Sequence, residues 1–136
     1  MSNYTNKSDM YLDVAELAEN NYKYPAVAHC AYYSCFHLMQ HIWYHKMGKT
    51  ERQLEIECST NKTGKHNILI NEVACFIKNN PKNRNAQSDF QLFNSKIIQL
   101  KKLRESADYK DESFDITKSI KSRTLARELI PILKRT

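Results

Sequence analysis

At 136 residues the chain is long enough for one domain and short of two. Hydrophobic residues at 41% and charged residues at 26% exclude a disordered chain, and 2 Gly with 3 Pro supply too few turn formers for an all-β sandwich or barrel. The net charge of +6 is uneven: residues 1–95 hold 10 Lys/Arg against 9 Asp/Glu, whereas residues 96–136 hold 11 against 6. A basic surface toward the C-terminus therefore has two readings, a nucleic-acid or nucleotide contact and a solvated lysine face.

Helices are expected throughout. Ser8 has N-cap chemistry, and Met10, Tyr11, Val14, Leu17 and Ala18 recur at helical spacing until Asn20 and Asn21 break the pattern. Pro25 suits the first turn of a second helix, predicted over 26–46 and stopped by Gly48. The apolar positions of that helix (Val27, Cys30, Ala31, Tyr32, Cys35, Phe36 and onward to Trp43) cover well over half its circumference, which predicts a central helix packed on several sides. Thr50 and Gln53 have capping-box spacing for a short helix through Leu54 and Ile56, and 59–64 reads as loop. Ile68, Leu69, Val73, Phe76 and Ile77 form a third clear stripe, ended by Asn79, Asn80 and Pro81. Ser88 and Gln91 again have capping-box spacing, and Phe90, Phe93, Ile97, Leu100 and Ala107 follow one seam to about Asp108. Ile116, Ile120, Leu125, Leu129 and Leu133 mark a final helix whose end Pro131 is expected to kink or shorten.

The sum is an all-α fold: an antiparallel up-and-down helical bundle of four principal helices plus one or two short helices, a single domain over 1–136 with its core at about 8–134. No apolar run approaches the ~18 residues that would span a bilayer, and residues 1–9 carry no signal-type stretch. A soluble, cytoplasmic protein without membrane association is expected. Cys30, Cys35, Cys58 and Cys75 lack C-x-x-C spacing and are expected as buried reduced thiols.

Several residues do not fit a bland bundle. Continuing the seam of Phe93, Ile97 and Leu100 by four brings Arg104 onto or beside the apolar face, where a guanidinium needs a partner. Asp108 lies four residues on, and the Tyr109 hydroxyl ends the segment. The cluster reads either as a phosphate site built on Arg104 or as an internal ion pair bracing the helix end. On the second helix His29, Tyr33, His37, His41 and His45 succeed one another at four-residue steps and so share a face. A metalloenzyme site would need H-E-x-x-H or a third ligand; His37 is followed by Leu38, Met39 and Gln40, so no metal and no cofactor are expected. His37 has three readings: a phosphate-facing donor, a proton carrier, or a satisfied interior histidine. Lys65 and His66 open the third stripe, where a helix N-terminus favours an anion. There is no Gly-rich phosphate loop, no G-x-S-x-G and no tight acidic pair beyond helix surfaces and turns.

Three segments carry a resemblance: 26–38, AVAHCAYYSCFHL; 65–76, KHNILINEVACF; and 103–109, LRESADY. In order and spacing they resemble the HEPN domain (higher eukaryotes and prokaryotes nucleotide-binding), over roughly residues 8–134, with R-x-x-A-D-Y before a final helix as the most specific element. The resemblance implies a homodimeric all-α bundle with polar residues around a shared cleft. It also implies an RNA or nucleotide ligand and, for some members, a toxin–antitoxin or defence role or a nucleotidyltransferase partner. The ribonuclease branch uses Arg followed after four to six residues by His. Here Arg104 is followed by Glu105, Ser106, Ala107, Asp108, Tyr109, Lys110 and Asp111, with no histidine.

Three functions are compatible with these residues. The first is a nucleotide- or RNA-binding module using Arg104, Asp108, Tyr109, Tyr33, His37, Lys65 and His66, with Arg104 on phosphate and Tyr33 or Tyr109 stacking on a base. The second is a divergent metal-independent ribonuclease with Arg104 and His37 as catalytic candidates. The third is a non-catalytic protein-interaction domain pairing with a nucleotidyltransferase, in which the R-x-x-A-D-Y cluster is an internal brace.

Overall fold

Pro25 sits in the first turn of the helix against which the rest of the chain is laid. The computed structural model describes residues 2–136. Among the described residues six α-helices run in order: α1 (Asn3–Asn20), α2 (Tyr24–His41), α3 (Glu51–Asn61), α4 (Lys65–Lys78), α5 (Ala86–Tyr109) and α6 (Ile116–Arg135). There is no strand among the described residues. The architecture is an all-α bundle, with α1, α2, α5 and α6 long and α3 and α4 shorter.

α2 is the central helix, packed against α1, α4, α5 and α6. Its wide apolar surface explains the placement, because Val27, Ala28, Ala31, Tyr32, Cys35 and Met39 are fully buried on more than one side. Past His41 it widens into a π turn (Ile42–Lys46), in which the Met47 amide bonds to the Ile42 carbonyl at 2.8 Å. The inserted residue swings Trp43 wholly into the core, where its indole Nε1 donates to the Thr50 carbonyl at 3.1 Å. Gly48, at φ +66°, then reverses the chain, as its freedom from a Cβ permits. Thr50 and Gln53 form the expected reciprocal capping box for α3.

The boundaries differ from the sequence expectation in four places. α1 begins at Asn3, so Ser8 is not a cap but a buried mid-helix residue. The Ser34 hydroxyl donates to the Ser8 carbonyl at 2.8 Å, and the two Oγ atoms lie 3.1 Å apart, so a pair of small polar side chains brings α1 and α2 into close approach. The stripe of Met10, Val14 and Leu17 accordingly faces solvent, at 63, 47 and 60% exposure, while Ala15 takes the core. Second, α3 continues to Asn61, through the stretch that reads as loop from 59. Third, α5 starts at Ala86, one turn earlier than Ser88 and Gln91 suggest; Asn83 accepts from the Asn85 amide and donates to Asp89, ordering the entry. Fourth, Pro131 leaves α6 intact to Arg135. Asp89 holds that last turn with two bonds from the Arg135 guanidinium, at 2.7 and 3.0 Å. On α6 the exposed Ile116 and Ile120 are not core residues; Ser119 and Ser122 occupy the buried face, and Glu19 of α1 pairs with Arg123 there.

All four cysteines are free thiols; Cys30 and Cys35 are buried, Cys58 is half-buried, and Cys75 is exposed rather than buried. No helix among the described residues is long and apolar enough to cross a membrane.

Candidate nucleotide site at the end of α5

The seam of α5 fixes where its arginine goes. Phe93, Ile97 and Leu100 are fully buried, and the next step of four delivers Arg104 into the bundle with 6% of its surface exposed. Its guanidinium lies over three tyrosine rings, 5.0 Å from the centre of Tyr32, 5.5 Å from Tyr33 and 5.4 Å from Tyr109. Nη1 donates to the Tyr109 hydroxyl at 3.1 Å. Asp108 stands 3.9 Å from Nη1, within Coulomb range but outside hydrogen-bond distance, and the buried Nε has no partner. The cation is thus largely desolvated, with one carboxylate at ion-pair distance but none hydrogen-bonded to it, an arrangement that an added anion would complete.

Asp108 instead hydrogen-bonds to His29 of α2, Nδ1 to Oδ2 at 2.8 Å. The carboxylate accepts from Nδ1–H, which leaves Nε2 facing away from it. The His29 ring also lies 4.8 Å from that of Tyr33.

α4 brings its first turn against the same tyrosines. Gly64 provides no side-chain cap, and a Cβ built on it would meet nothing within 4 Å, so the space before the α4 N-terminus is open. His66 stacks on Phe36, with centres 4.3 Å apart, and its Nδ1 is 2.7 Å from the Tyr32 hydroxyl. Burial pushes the Tyr32 hydroxyl well above its usual range, so it stays protonated. Burial first, and then the cations Arg104, Lys101 and Lys65, lower the His66 pKa to about 4. The ring is neutral at pH 7; we assign the hydroxyl as donor to Nδ1 and the ring proton to Nε2.

The lowered pKa of His66 makes stability depend on pH. The unfolded histidine binds a proton near pH 6.5 and the folded one only near 4, so the contribution is complete above pH 6.5 and is lost as the pH falls toward 4. For a half-buried ring about 2 kcal/mol is expected across that window. Urea unfolding of wild type and His66→Asn at pH 7.5 and pH 4.5 should show the difference between the two proteins shrinking by that amount at the lower pH. A constant difference would contradict the neutral buried ring.

Of the residues singled out in the sequence, Arg104, Asp108, Tyr109, Tyr33 and His66 come together, and Lys65 stands at the edge, close enough to act on both His66 and His37. His37 lies on the other side of Tyr33, 6.5 Å between ring centres, with Tyr11 at 5.0 Å and Gln40 bonded to Nδ1 at 3.0 Å. The sequence does not mark Tyr32, Phe36 or His29 as binding residues. Tyr32 and Phe36 are indistinguishable from core residues by periodicity, and the partner of His29 is 79 positions away. Among the described residues no three His, Cys, Asp or Glu side chains stand close enough to hold a metal ion.

No protein-family model matches the chain, and no curated protein or solved structure matches it either.

Proposed function

We propose that the protein is a nucleotide- or RNA-binding module of HEPN type, in which Arg104 holds a phosphate group. The observation that carries this reading is the state of Arg104: a guanidinium buried among three tyrosines, with an unpartnered Nε and its carboxylate neighbour turned to His29. The N-terminus of α4, without a side-chain cap and with Lys65 beside it, adds positive potential near His66. Tyr33 and the exposed Tyr109 offer ring faces to a base. The homodimer, the nucleotidyltransferase partner and a toxin–antitoxin setting are proposals that depend on the HEPN resemblance. The test is a thermal-shift series with wild type, mononucleotides and short RNAs. A ligand at 100 times its Kd should stabilise the folded protein by about 2.7 kcal/mol. Absence of any shift across the panel would defeat the reading.

A second reading, a metal-independent ribonuclease, is favoured by the His29–Asp108 contact. The carboxylate orients His29 so that Nε2 can take a proton from a 2′-hydroxyl, while Arg104 stabilises charge on phosphorus oxygens. In this reading His29, supplied from α2, takes the role that the sequence offered to His37. RNA cleavage that persists in EDTA should fall about 100-fold or more in His29→Ala and be retained in His37→Ala. Equal loss in both variants would point away from His29 as base.

A further inference from the structure

The Arg104 site opens onto a longer feature. Six of the eight tyrosines and all five histidines gather along one side of the bundle. From Tyr33 the rings continue to Tyr11 at 6.3 Å, from Tyr11 to His37 at 5.0 Å, from His37 to Tyr4 at 6.4 Å, and from Tyr4 to Tyr44 at 5.5 Å with the planes only 14° apart. All five are partly exposed, so their faces and edges form a surface rather than a core.

The charges beside this row are one-sided. Helical spacing puts Asn3, Tyr4, Lys7, Met10, Tyr11, Val14 and Ala18 on one face of α1, and every carboxylate of that helix on the other. Two of those carboxylates are committed to α6, Asp9 with Lys134 and Glu19 with Arg123. The Lys7 ammonium lies 5.8 Å above the Tyr4 ring, and Lys7 and Lys65 are the charged groups that act on His37. Carboxylates return only at the two ends, where Asp108 bonds to His29 and Glu51 accepts from the Tyr44 hydroxyl.

We infer that this row is a stacking track for single-stranded nucleic acid, entered from the phosphate held at Arg104 and running between α1 and α2 toward Tyr44. The inference rests on the proposed phosphate role of Arg104 and adds the ligand's length and path. From Tyr33 to Tyr44 the track spans eleven residues of helix, about 16 Å at 1.5 Å each. That accommodates up to about five nucleotides at roughly 3.4 Å per stacked step. Rings with flanking amines and few hydrogen-bonding readers suit any base sequence, since every base offers a π face.

Fluorescence anisotropy with labelled uridylate and thymidylate of one, three and six nucleotides tests it. Affinity should rise with length in both sugar series. Tyr4→Ala and Lys7→Glu should each weaken the six-nucleotide strand about fivefold or more and leave the mononucleotide unchanged, whereas Arg104→Met should weaken every length. Lys7 is exposed, so its variant does not depend on the packing of α1. Equal affinity for one and six nucleotides, with dependence on Arg104 retained, overturns the track and spares the phosphate site. No binding at any length overturns both. Tight binding of a duplex of the same length overturns stacking as its basis. Sedimentation showing a wild-type dimer that Tyr4→Ala or Lys7→Glu dissociates, without any effect on strand binding, would make this face a protein interface instead.

Discussion

Arg104→Met should melt at or above the wild-type temperature and lose the stabilisation that nucleotides or RNA give the wild type. The side chain is almost wholly buried, yet its only close polar contact is the Tyr109 hydroxyl, and Nε has none. Replacing a poorly paired buried charge by an apolar chain of similar length removes a desolvation cost. Exchanges of whole buried ion pairs for apolar side chains are commonly neutral or stabilising by about 1 to 4 kcal/mol, and the same direction is expected here. Asp108 would not be stranded, because His29 holds it and water reaches it. Ligand affinity should fall by roughly 10- to 100-fold, the loss of one or two charge-assisted hydrogen bonds at about 1.5 to 3 kcal/mol in all. Removing the cation should also let the His66 pKa rise from about 4, which a histidine NMR titration of the variant would record. If Arg104 is a brace, the same substitution lowers stability by about 3 to 5 kcal/mol and leaves no binding to lose. Paired melting curves with and without ligand separate the two outcomes.

Trp43→Ala should be the most destabilising single change in the chain. The indole is fully buried at the π turn, its Nε1 holds the Thr50 carbonyl, and the Lys49 ammonium covers the ring at 4.8 Å. Truncation therefore opens a large cavity and unties the connection between α2 and α3. A cost of about 3 to 5 kcal/mol is expected. Against a total stability of about 5 to 15 kcal/mol, the melting midpoint should drop by roughly 10 to 20 °C in calorimetry. Trp43→Phe refills part of the space but loses the bond to Thr50 and the volume of one ring, so it should recover part of the deficit. Similar melting of the two variants would mean that the indole bond, and not the volume, carries the contribution.

The helical class, the central place of α2 and the burial of Arg104 were legible in the sequence because each depends on spacing along a single helix. Well over half of α2 is apolar, and no helix with one neighbour can bury that. The seam of α5 reaches Arg104 by steps of three and four whatever surrounds it. The Thr50–Gln53 capping box was legible for the same reason, since both partners lie within one turn. The face of α1 was not. Met10, Val14 and Leu17 form a regular apolar stripe, yet the bundle buries Ser8 and Ala15, because close approach to α2 rewards small side chains over large ones.

The candidate site divides along the same line. R-x-x-A-D-Y marks Arg104, Asp108 and Tyr109 through a local pattern, but it does not say whether Asp108 neutralises the arginine. In the fold Asp108 is shared: it hydrogen-bonds to His29, 79 residues away, and stands at 3.9 Å from Arg104, an ion pair without a hydrogen bond. The stacking of His66 on Phe36 joins α4 to α2, and the row from Tyr33 to Tyr44 interleaves rings of the consecutive helices α1 and α2. Periodicity along one helix determines which residues turn inward. Which of them meet, and with what charge between them, is decided only when separate helices are packed together, since an ion pair or a ring contact depends on a distance that no single helix contains.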